Sequence, residues 1–442
     1  MSKHSAKSIS DGYLLRSIRS LDGKAIDIRI SNAVVSEIGS AGTLPEGDCN
    51  VIECDGLQAL PGLVDLHTHL REPGREDAET IRTGSAAAAL GGFTAVHAMA
   101  NTDPVADNAG VVEQVVRLGR EAGYCEVFAV GAVTQGLNGV ELAELGAMAH
   151  SMANVRVFSD DGRCVSDSLV MRRALEYVKQ FDGVIAQHAQ DPRLTENAQM
   201  NEGIISAKLG LAGWPAVAEE AVIARDVLLA EHVGARLHIC HVSTSGSVDI
   251  IRWAKSRGIN VTAEVTPHHL LLTDTLAQSY DPVYKVNPPL RTAEDVSALR
   301  KALADGTIDI VATDHAPHPK ESKECEWSEA ANGMIGLESA LSVVQESMVD
   351  TGLANWKTIA ERMSFSPARI GRLASQGEPI EVGASANIVA LDVAAKRKVS
   401  EIKSVSKSEN NPYRDRTLPG WVKYSFLHGK LIVNNGTLVN PL

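Results

Sequence analysis

The chain has 442 residues, of which 44% are hydrophobic and 22% charged, and its formal net charge is -13 at pH 7. This composition is that of an ordinary globular protein with room for a large and a small domain, and the dispersed negative charge argues against nucleic acid as the main partner. We expect a cytoplasmic protein, because the six cysteines lack paired spacing, the start MSKHSAKSISDGY lacks the apolar core of a signal peptide, and the apolar runs are too short to span a membrane.

Short stretches with alternating apolar and polar residues occupy the first sixty residues, such as YLLRSI at 13–18 and AIDIRIS at 25–31. This two-residue period is typical of half-buried β-strands. Beyond them, eight short runs rich in Val, Ile and Phe each end in polar residues, as strands with two buried faces do. These runs cover residues 62–69, 93–101, 126–133, 154–161, 183–189, 235–241, 260–265 and 308–315.

Amphipathic helices are predicted between these strands, because apolar residues recur three and four positions apart. The clearest candidates are 108–123, which ends in Gly123, 167–181, which opens with Asp167 as an N-cap, 218–234 and 292–306. Strands that alternate with helices indicate a parallel sheet, and eight such units match a closed barrel better than an open sheet. We therefore predict an α/β protein with a (β/α)8 TIM-type barrel over residues 61–379, with long insertions before the sixth and eighth strands.

The final segment, residues 380–442, returns to the alternating pattern of the first sixty residues. Its Asn435-Gly436 pair is a signal for a tight hairpin turn. We predict that residues 1–60 and 380–442 together form one small antiparallel β-domain, a β-sandwich built from both chain termini.

Side chains that commonly bind metals lie at the ends of five of the predicted strands. His67 and His69 share one face of the first strand, because side chains alternate along a strand. The carboxyl ends of barrel strands converge on one rim, where active sites lie. Imidazole and carboxylate are ligands that zinc prefers, and a set of this size with a bridging carboxylate describes a two-metal site. The other members of the set are Asp160 or Asp161, His188, His241 and Asp314.

Other polar residues favour ordinary structural roles. Asp160 and Asp161 precede a glycine in a good turn sequence, so at most one of them is required as a ligand. His268 or His269 lies near the mouth after the seventh strand, but neither is assigned as a ligand. A lone histidine on a strand or helix is more often structural, which is our interpretation of His97, His150, His232, His238 and His428.

Six motifs occur in the order found in a known superfamily: DLHTHLREPG, ANTDPV, FSDDG, HICHVST, VNPPLR and ATDHAPH. They resemble the amidohydrolase superfamily, and from about residue 50 to residue 440 the chain is most similar to the type I bacterial dihydroorotases. The HxH and TDHAPH motifs are shared with hydantoinases and allantoinases. LREPG, the asparagine of ANT, and NPPLR point more narrowly to dihydroorotase.

The resemblance implies a metal centre with one or two Zn²⁺ ions. His67, His69 and Asp314 would hold the first ion, and His188 and His241 the second. Many relatives bridge the ions with a carboxylated lysine on the fourth strand, but the corresponding stretch here, RVFSDDG, has no lysine. The type I pattern gives the bridging role to an aspartate. The spacing to His188 favours Asp161 over Asp160 for this role. Asn332 stands where the family often has an aromatic residue, so the floor of the ring pocket departs from the family pattern. The substrate contacts that the family implies are His69, Arg71, Asn101, Asn287, His318, Asn332 and Gly333.

The activity that the resemblance implies is the reversible hydrolysis of the cyclic amide of (S)-dihydroorotate to N-carbamoyl-L-aspartate, a step of pyrimidine biosynthesis. A hydroxide between the ions would attack the ring carbonyl, since paired ions lower the pKa of a bound water toward about 7. Asp314 would pass the water's proton to the departing ring nitrogen. Arg71 would bind the substrate carboxylate through its planar guanidinium.

Two other functions stay open at the level of the sequence: another cyclic amidase, such as a hydantoinase or allantoinase, and a non-catalytic scaffold for aspartate carbamoyltransferase. The missing bridging lysine disfavours the first, and the filled ligand positions disfavour the second. The resemblance also leaves open a homodimer and a complex with aspartate carbamoyltransferase. The charged loop at 315–333 is predicted to be either a lid over the mouth or a solvated loop.

Overall fold

Nineteen strands form within residues 12–441, the part of the chain that the computed structural model describes. Most of the stretch that we predicted not to be a signal peptide lies outside these described residues. In chain order the strands are β1 (Tyr13–Arg19), β2 (Ala25–Ser31), β3 (Val34–Ser40), β4 (Asn50–Glu53), β5 (Gln58–Pro61), β6 (Leu63–Thr68), β7 (Phe93–Ala98), β8 (Glu126–Ala129), β9 (Val157–Phe158), β10 (Val184–Gln187), β11 (Met200–Asn201), β12 (Gly213–Trp214), β13 (Arg236–Ile239), β14 (Val261–Val265), β15 (Ile310–Val311), β16 (Ile388–Lys398), β17 (Thr417–Leu427), β18 (Lys430–Asn434) and β19 (Thr437–Leu438).

Twelve α-helices lie in the same range, and the four predicted ones are among them. The predicted caps form: Asp167 accepts the N–H groups of Leu169 and Val170, and Gly123 ends its helix with a φ of +73°. None of the helices in residues 12–441 is long and apolar enough to cross a membrane. The helices are α1 (Ile81–Leu90), α2 (Ala109–Ala122), α3 (Leu145–His150), α4 (Ser168–Val178), α5 (Ile204–Leu209), α6 (Val217–Val233), α7 (Ser245–Ser256), α8 (Pro267–Leu271), α9 (Ala293–Asp305), α10 (Ala340–Val344), α11 (Trp356–Ala360) and α12 (Ser366–Gly371).

Eight strands close into a parallel barrel, as the sequence predicts. β6, β7 and β8 pair in parallel, and so do β9, β10, β13, β14 and β15. Two isolated parallel bridges join these groups, one between Gly131 and Phe158 and the other between Thr68 and His315. The long insertion before the sixth barrel strand carries the small β11–β12 pair.

Both ends of the chain contribute to one nine-stranded sheet, in the order β19-β18-β17-β16-β5-β1-β2-β3 with β4 paired to β1. The predicted Asn-Gly hairpin forms, since Asn435 and Gly436 have φ values of +47° and +75° between β18 and β19. The sheet is not purely antiparallel, because β1 pairs in parallel with β4 and β5. Apolar alternation reports which face of a strand is buried and carries no information on strand direction. The boundaries at residues 60 and 380 stay a prediction.

The barrel interior is filled by apolar side chains. One buried cluster joins Val64, Ala95, Val157, Val184 and Ile310, which come from five different barrel strands. A larger buried cluster packs other strand residues against the surrounding helices. The strand bodies are therefore used for packing, and the polar residues lie at the strand ends.

Candidate metal centre

The ligand residues predicted from the sequence converge at the carboxyl ends of the barrel strands. Two belong to the end of β6, and the other four follow β9, β10, β13 and β15 within three residues. Each of the six is at most 5% exposed. Ionisable groups buried together are costly unless they pair or bind an ion. The six residues are His67, His69, Asp161, His188, His241 and Asp314.

Asp161 is shared by two groups of histidines. Its Oδ1 lies 3.3 Å from His67 Nε2, and its Oδ2 lies 3.3 Å from His69 Nε2. The same Oδ1 lies 3.2 Å from both His188 Nδ1 and His241 Nε2. Each group, with Asp161, places three ligand atoms within 4.8 Å of one another. One carboxylate between two pairs of imidazoles is the arrangement of a bridged two-metal site.

The ring nitrogens of these histidines fit a pair of divalent ions. His67 Nε2 is buried and has no hydrogen-bond partner among the described residues. His188 Nδ1 and His241 Nε2 face each other at 2.9 Å. Burial disfavours the charged form of His67, but Asp161 and Glu264 outweigh it and raise its pKa well above the usual range. The carboxylates therefore attract positive charge to this point, which a metal ion would supply.

Asp314 completes the first group, next to both of its histidines. Its Oδ1 lies 3.1 Å from His69 Nε2 and 3.6 Å from His67 Nε2. Burial opposes ionisation, but the hydrogen bond from His69 and the neighbouring imidazoles lower the pKa of Asp314 to about 2. Asp314 and His241 have φ values of +48° and +33°. Such backbone conformations are rare for residues with a side chain and persist only where the surroundings hold them.

Asp160 has a different role from its neighbour Asp161. Its Oδ1 accepts the backbone N–H groups of Val133 and Thr134 at 2.8 and 2.9 Å, and its Oδ2 accepts the Thr134 hydroxyl. Asp160 thus fastens the loop after β8, and the structure brings only Asp161 of this pair into the histidine cluster.

Arg71 lies beside the cluster as a buried cation. It is 6% exposed, its Nε donates to Pro317 O at 3.1 Å, and one terminal nitrogen lies 3.5 Å from His318 Nε2. Within residues 12–441 it forms no ion pair with a carboxylate. Burial and the charge of Arg75 lower its pKa to about 10, so it is charged at neutral pH.

Two predicted substrate residues contact histidines of the cluster. Asn101 Oδ1 accepts from His69 Nδ1 at 2.9 Å, which leaves His69 Nε2 to face the carboxylates. Asn287 Nδ2 donates to Gln190 Oε1 at 3.0 Å, and Gln190 in turn bonds His188 Nε2 at 2.7 Å. The Oδ1 of Asn287 is buried without a hydrogen-bond partner in the described part of the chain. An unused acceptor therefore remains at the mouth.

The remaining predicted contacts lie on the loop at 315–333. His318 Nε2 donates to the carbonyl of Asn332 at 2.7 Å, whereas the Asn332 side chain is exposed. Gly333 N–H donates to Lys285 O, and Lys323 Nζ donates to the carbonyls of Lys285, Ala331 and Gly333. Burial lowers the pKa of Lys323 to about 7. This loop is thus anchored to the barrel rim by buried hydrogen bonds.

Sequence reasoning missed Glu264, a carboxylate of β14 that contacts two histidines of the cluster, His67 and His241. It was hidden in NVTAEV, where a charged residue among apolar ones was the only signal. His238, which we interpreted as structural, bonds Glu264 Oε2 through its Nε2 at 3.0 Å. His268, left unassigned, is buried, and its Nε2 has no hydrogen-bond partner among the described residues.

Comparison with known proteins gives the family of the chain. Residues 56–247 match the family model described as Dihydro-orotase-like. A dihydroorotase from Streptomyces coelicolor is 65% identical over 425 residues, which cover 96% of this chain and 99% of that protein. A dihydroorotase from Mycobacterium tuberculosis is 53% identical over 426 residues, with the same coverage. The chain belongs to the dihydroorotase family.

Solved structures support the fold of this dihydroorotase family member. The L-hydantoinase (dihydropyrimidinase) of Arthrobacter aurescens has a TM-score of 0.84 and 24% identity, with 97% of each chain covered. The dihydropyrimidinase of Brevibacillus agri has a TM-score of 0.81 and 23% identity, with 97% of this chain and 96% of that chain covered. At these identities the likeness concerns the barrel and its terminal sheet, not the substrate.

Proposed function

We propose that this chain hydrolyses the ring amide of dihydroorotate reversibly to N-carbamoyl-aspartate, as a cytoplasmic zinc enzyme of pyrimidine biosynthesis. The observation that carries the proposal is the sharing of Asp161 between two pairs of histidines. Two residues beyond His69 lies the buried cation Arg71, which forms no ion pair with a carboxylate among residues 12–441. Membership of the dihydroorotase family supports the same activity.

The residues of the chain divide the chemistry among them. When bound, the zinc ions would polarise the ring carbonyl and make a nearby water more acidic. The four histidines, Asp161 and Asp314 would hold the ions. Asp314 is ionised at neutral pH and lies against His69, so it can accept the proton of the attacking water and deliver it to the ring nitrogen that departs. Because these residues are buried, bulk water is excluded from them, and their electrostatic interactions are stronger than they would be in water.

Substrate recognition is assigned to the rim. Arg71 offers a buried guanidinium, without a carboxylate partner in the described part of the chain, that matches the single carboxylate of dihydroorotate. Asn287 Oδ1 is a buried acceptor without a partner in the described residues, which suits a ring N–H. The side chain of Asn332 is exposed. Asn332 would therefore contribute its backbone carbonyl to the substrate pocket, and this carbonyl already accepts a hydrogen bond from His318.

Replacement of Arg71 by Met is expected to impair dihydroorotate far more than a substrate without the carboxylate. Truncating one partner of a buried, hydrogen-bonded charge pair costs about 2–5 kcal/mol, which should appear in kcat/KM. Parallel assays with dihydroorotate and the uncharged analogue dihydrouracil measure the difference. Equal losses for the two compounds would contradict recognition of the carboxylate by Arg71.

Removal of metal is expected to abolish turnover, and added zinc should restore it. The six buried ligand residues bring four imidazoles and two carboxylates together. A bound ion would accept their lone pairs and balance the negative charge of the carboxylates. Chelator treatment followed by zinc titration, with the metal content determined in each sample, tests this. Full turnover in a metal-free sample would refute the zinc proposal.

The other functions make different predictions in the same assays. Hydantoin or allantoin turned over in preference to dihydroorotate would identify another cyclic amidase. A protein that binds no zinc and turns over none of the three compounds would indicate the scaffold function. Size measurements with and without aspartate carbamoyltransferase test the homodimer and the complex that the family resemblance suggests.

A further inference from the structure

Glu264 is a buried carboxylate that the proposed chemistry does not use. It lies in β14, the seventh barrel strand, and is 1% exposed. Its Oε1 accepts a hydrogen bond from His67 Nδ1 at 2.6 Å and another from the backbone N–H of His241 at 3.1 Å. Its Oε2 lies 3.0 Å from His238 Nε2. A single side chain therefore contacts one histidine from each of the two metal-binding groups.

The bond to His67 decides which ring nitrogen is available for a metal. In the neutral imidazole that a metal ligand requires, Nδ1 carries the hydrogen that Glu264 accepts, so Nε2 keeps its lone pair. Nε2 faces Asp161 at 3.3 Å and has no hydrogen-bond partner in the described residues. The ring is thus held in the tautomer and orientation that a ligand at this position requires.

The bond to His241 acts on the backbone. His241 has a φ of +33°, an unfavourable conformation for a residue with a side chain. Glu264 Oε1 accepts the N–H of this residue, and so helps to hold the conformation that directs the imidazole toward Asp161.

We propose that Glu264 is a positioning residue that sets His67 and His241 for metal binding before the ions arrive. The proposal rests on the metal centre of the proposed function. Glu264, His67 and Cys240 also place ligand atoms within 4.8 Å of one another. However, the 2.6 Å between His67 Nδ1 and Glu264 Oε1 is a hydrogen-bond distance and leaves no space for an ion between them.

The test is the zinc affinity of Glu264→Gln, measured by competition with a chromophoric chelator. Loss of an outer hydrogen-bond partner of a metal ligand typically weakens metal binding by about 10–100-fold, and we expect a loss in this range. Glu264→Asp keeps the charge but withdraws it by one methylene, so an intermediate loss is expected. The matched control is Asp309→Asn, because Asp309 accepts the N–H of Ala263 in the same strand and pairs with Lys255, away from the histidines. Its zinc affinity should equal that of the unmodified protein.

The outcomes separate this inference from the proposed function. An unmodified protein that binds no zinc would refute the proposed function itself. If the unmodified protein binds zinc, the positioning role is overturned when both Glu264 variants bind zinc as tightly as the unmodified protein does. It is also overturned when Asp309→Asn loses as much zinc affinity as the Glu264 variants. Loss of one whole ion with unchanged affinity for the other ion would make Glu264 a direct ligand, which also overturns the positioning role. Thermal unfolding of the metal-free proteins identifies any variant that fails to fold, and the remaining Glu264 variant then decides.

Discussion

Asp314→Asn is expected to lower turnover of dihydroorotate by about 10²–10⁴-fold while the fold is retained. The side chains have nearly the same shape, so the buried pocket is preserved. The amide, however, cannot accept the proton of the attacking water or deliver one to the ring nitrogen. It also removes a negative charge that lies 3.1 Å from His69 Nε2.

The measurement is kcat together with zinc content in the same sample, since Asp314 is proposed both as a ligand and as the group that moves the proton. Zinc content near that of the unmodified protein with severely reduced kcat assigns the loss to proton transfer. Reduced zinc content that added zinc cannot correct assigns it to the ligand role. Turnover within a few-fold of normal at full zinc content would contradict both roles.

Asp161→Ala is expected to weaken zinc binding by more than the roughly 10–100-fold that follows loss of an outer partner of a ligand. Within residues 12–441, Asp161 is the one carboxylate that contacts all four histidines of the cluster. Its removal would take away the carboxylate proposed to hold both ions, and would leave the buried imidazoles without their shared counter-charge. Zinc affinity by chelator competition measures the effect.

The neighbouring variant Asp160→Ala is the matched control. Its expected effect is on stability rather than on zinc, because Val133 and Thr134 would lose their acceptor, and an unsatisfied buried donor costs about 1–3 kcal/mol. Thermal unfolding and zinc affinity of both variants distinguish the two roles. A greater loss of zinc affinity in Asp160→Ala would show that the bridge is assigned to the wrong aspartate.

The identity of the bridge also predicts how the metal centre assembles. A carboxylated lysine forms from CO₂, whereas Asp161 is already a carboxylate. Reconstitution of metal-free protein with zinc should therefore proceed equally well with and without bicarbonate. A requirement for bicarbonate would contradict the assignment of Asp161.

The barrel and the histidine cluster were predictable because each depends on a local pattern. Strand and helix periods indicated the eight units, and polar residues at strand ends indicated five of the six clustered residues without any distance information. They left Asp160 and Asp161 open, and only the family resemblance favoured Asp161. Glu264 could not be found in this way, since its partner His67 is 197 residues away and the bond depends on how the barrel closes. The anchoring of Lys323 was equally hidden, because its acceptors are backbone carbonyls, which every residue has.

The parallel pairing within the terminal sheet was missed for a related reason. Alternation identifies strands such as β1, but direction is set by which partner lies beside each one. β1 meets β5 only through the Arg19–Gln58 pair and meets β4 over four residues. These contacts are decided by the path of the chain between the strands and not by their composition.

The nine-stranded sheet has a consequence for synthesis on the ribosome. β5 immediately precedes the first barrel strand, yet its antiparallel partner β16 lies about 330 residues later in the chain. At about 5–20 residues per second, that partner emerges on the order of 15–70 s after β5. Throughout this interval β5 presents an open edge on that side, to which strands of other nascent chains can add. The whole barrel is translated before the C-terminal segment of the same chain can cover this edge, so β5 stays open to such additions while the protein is still being synthesised.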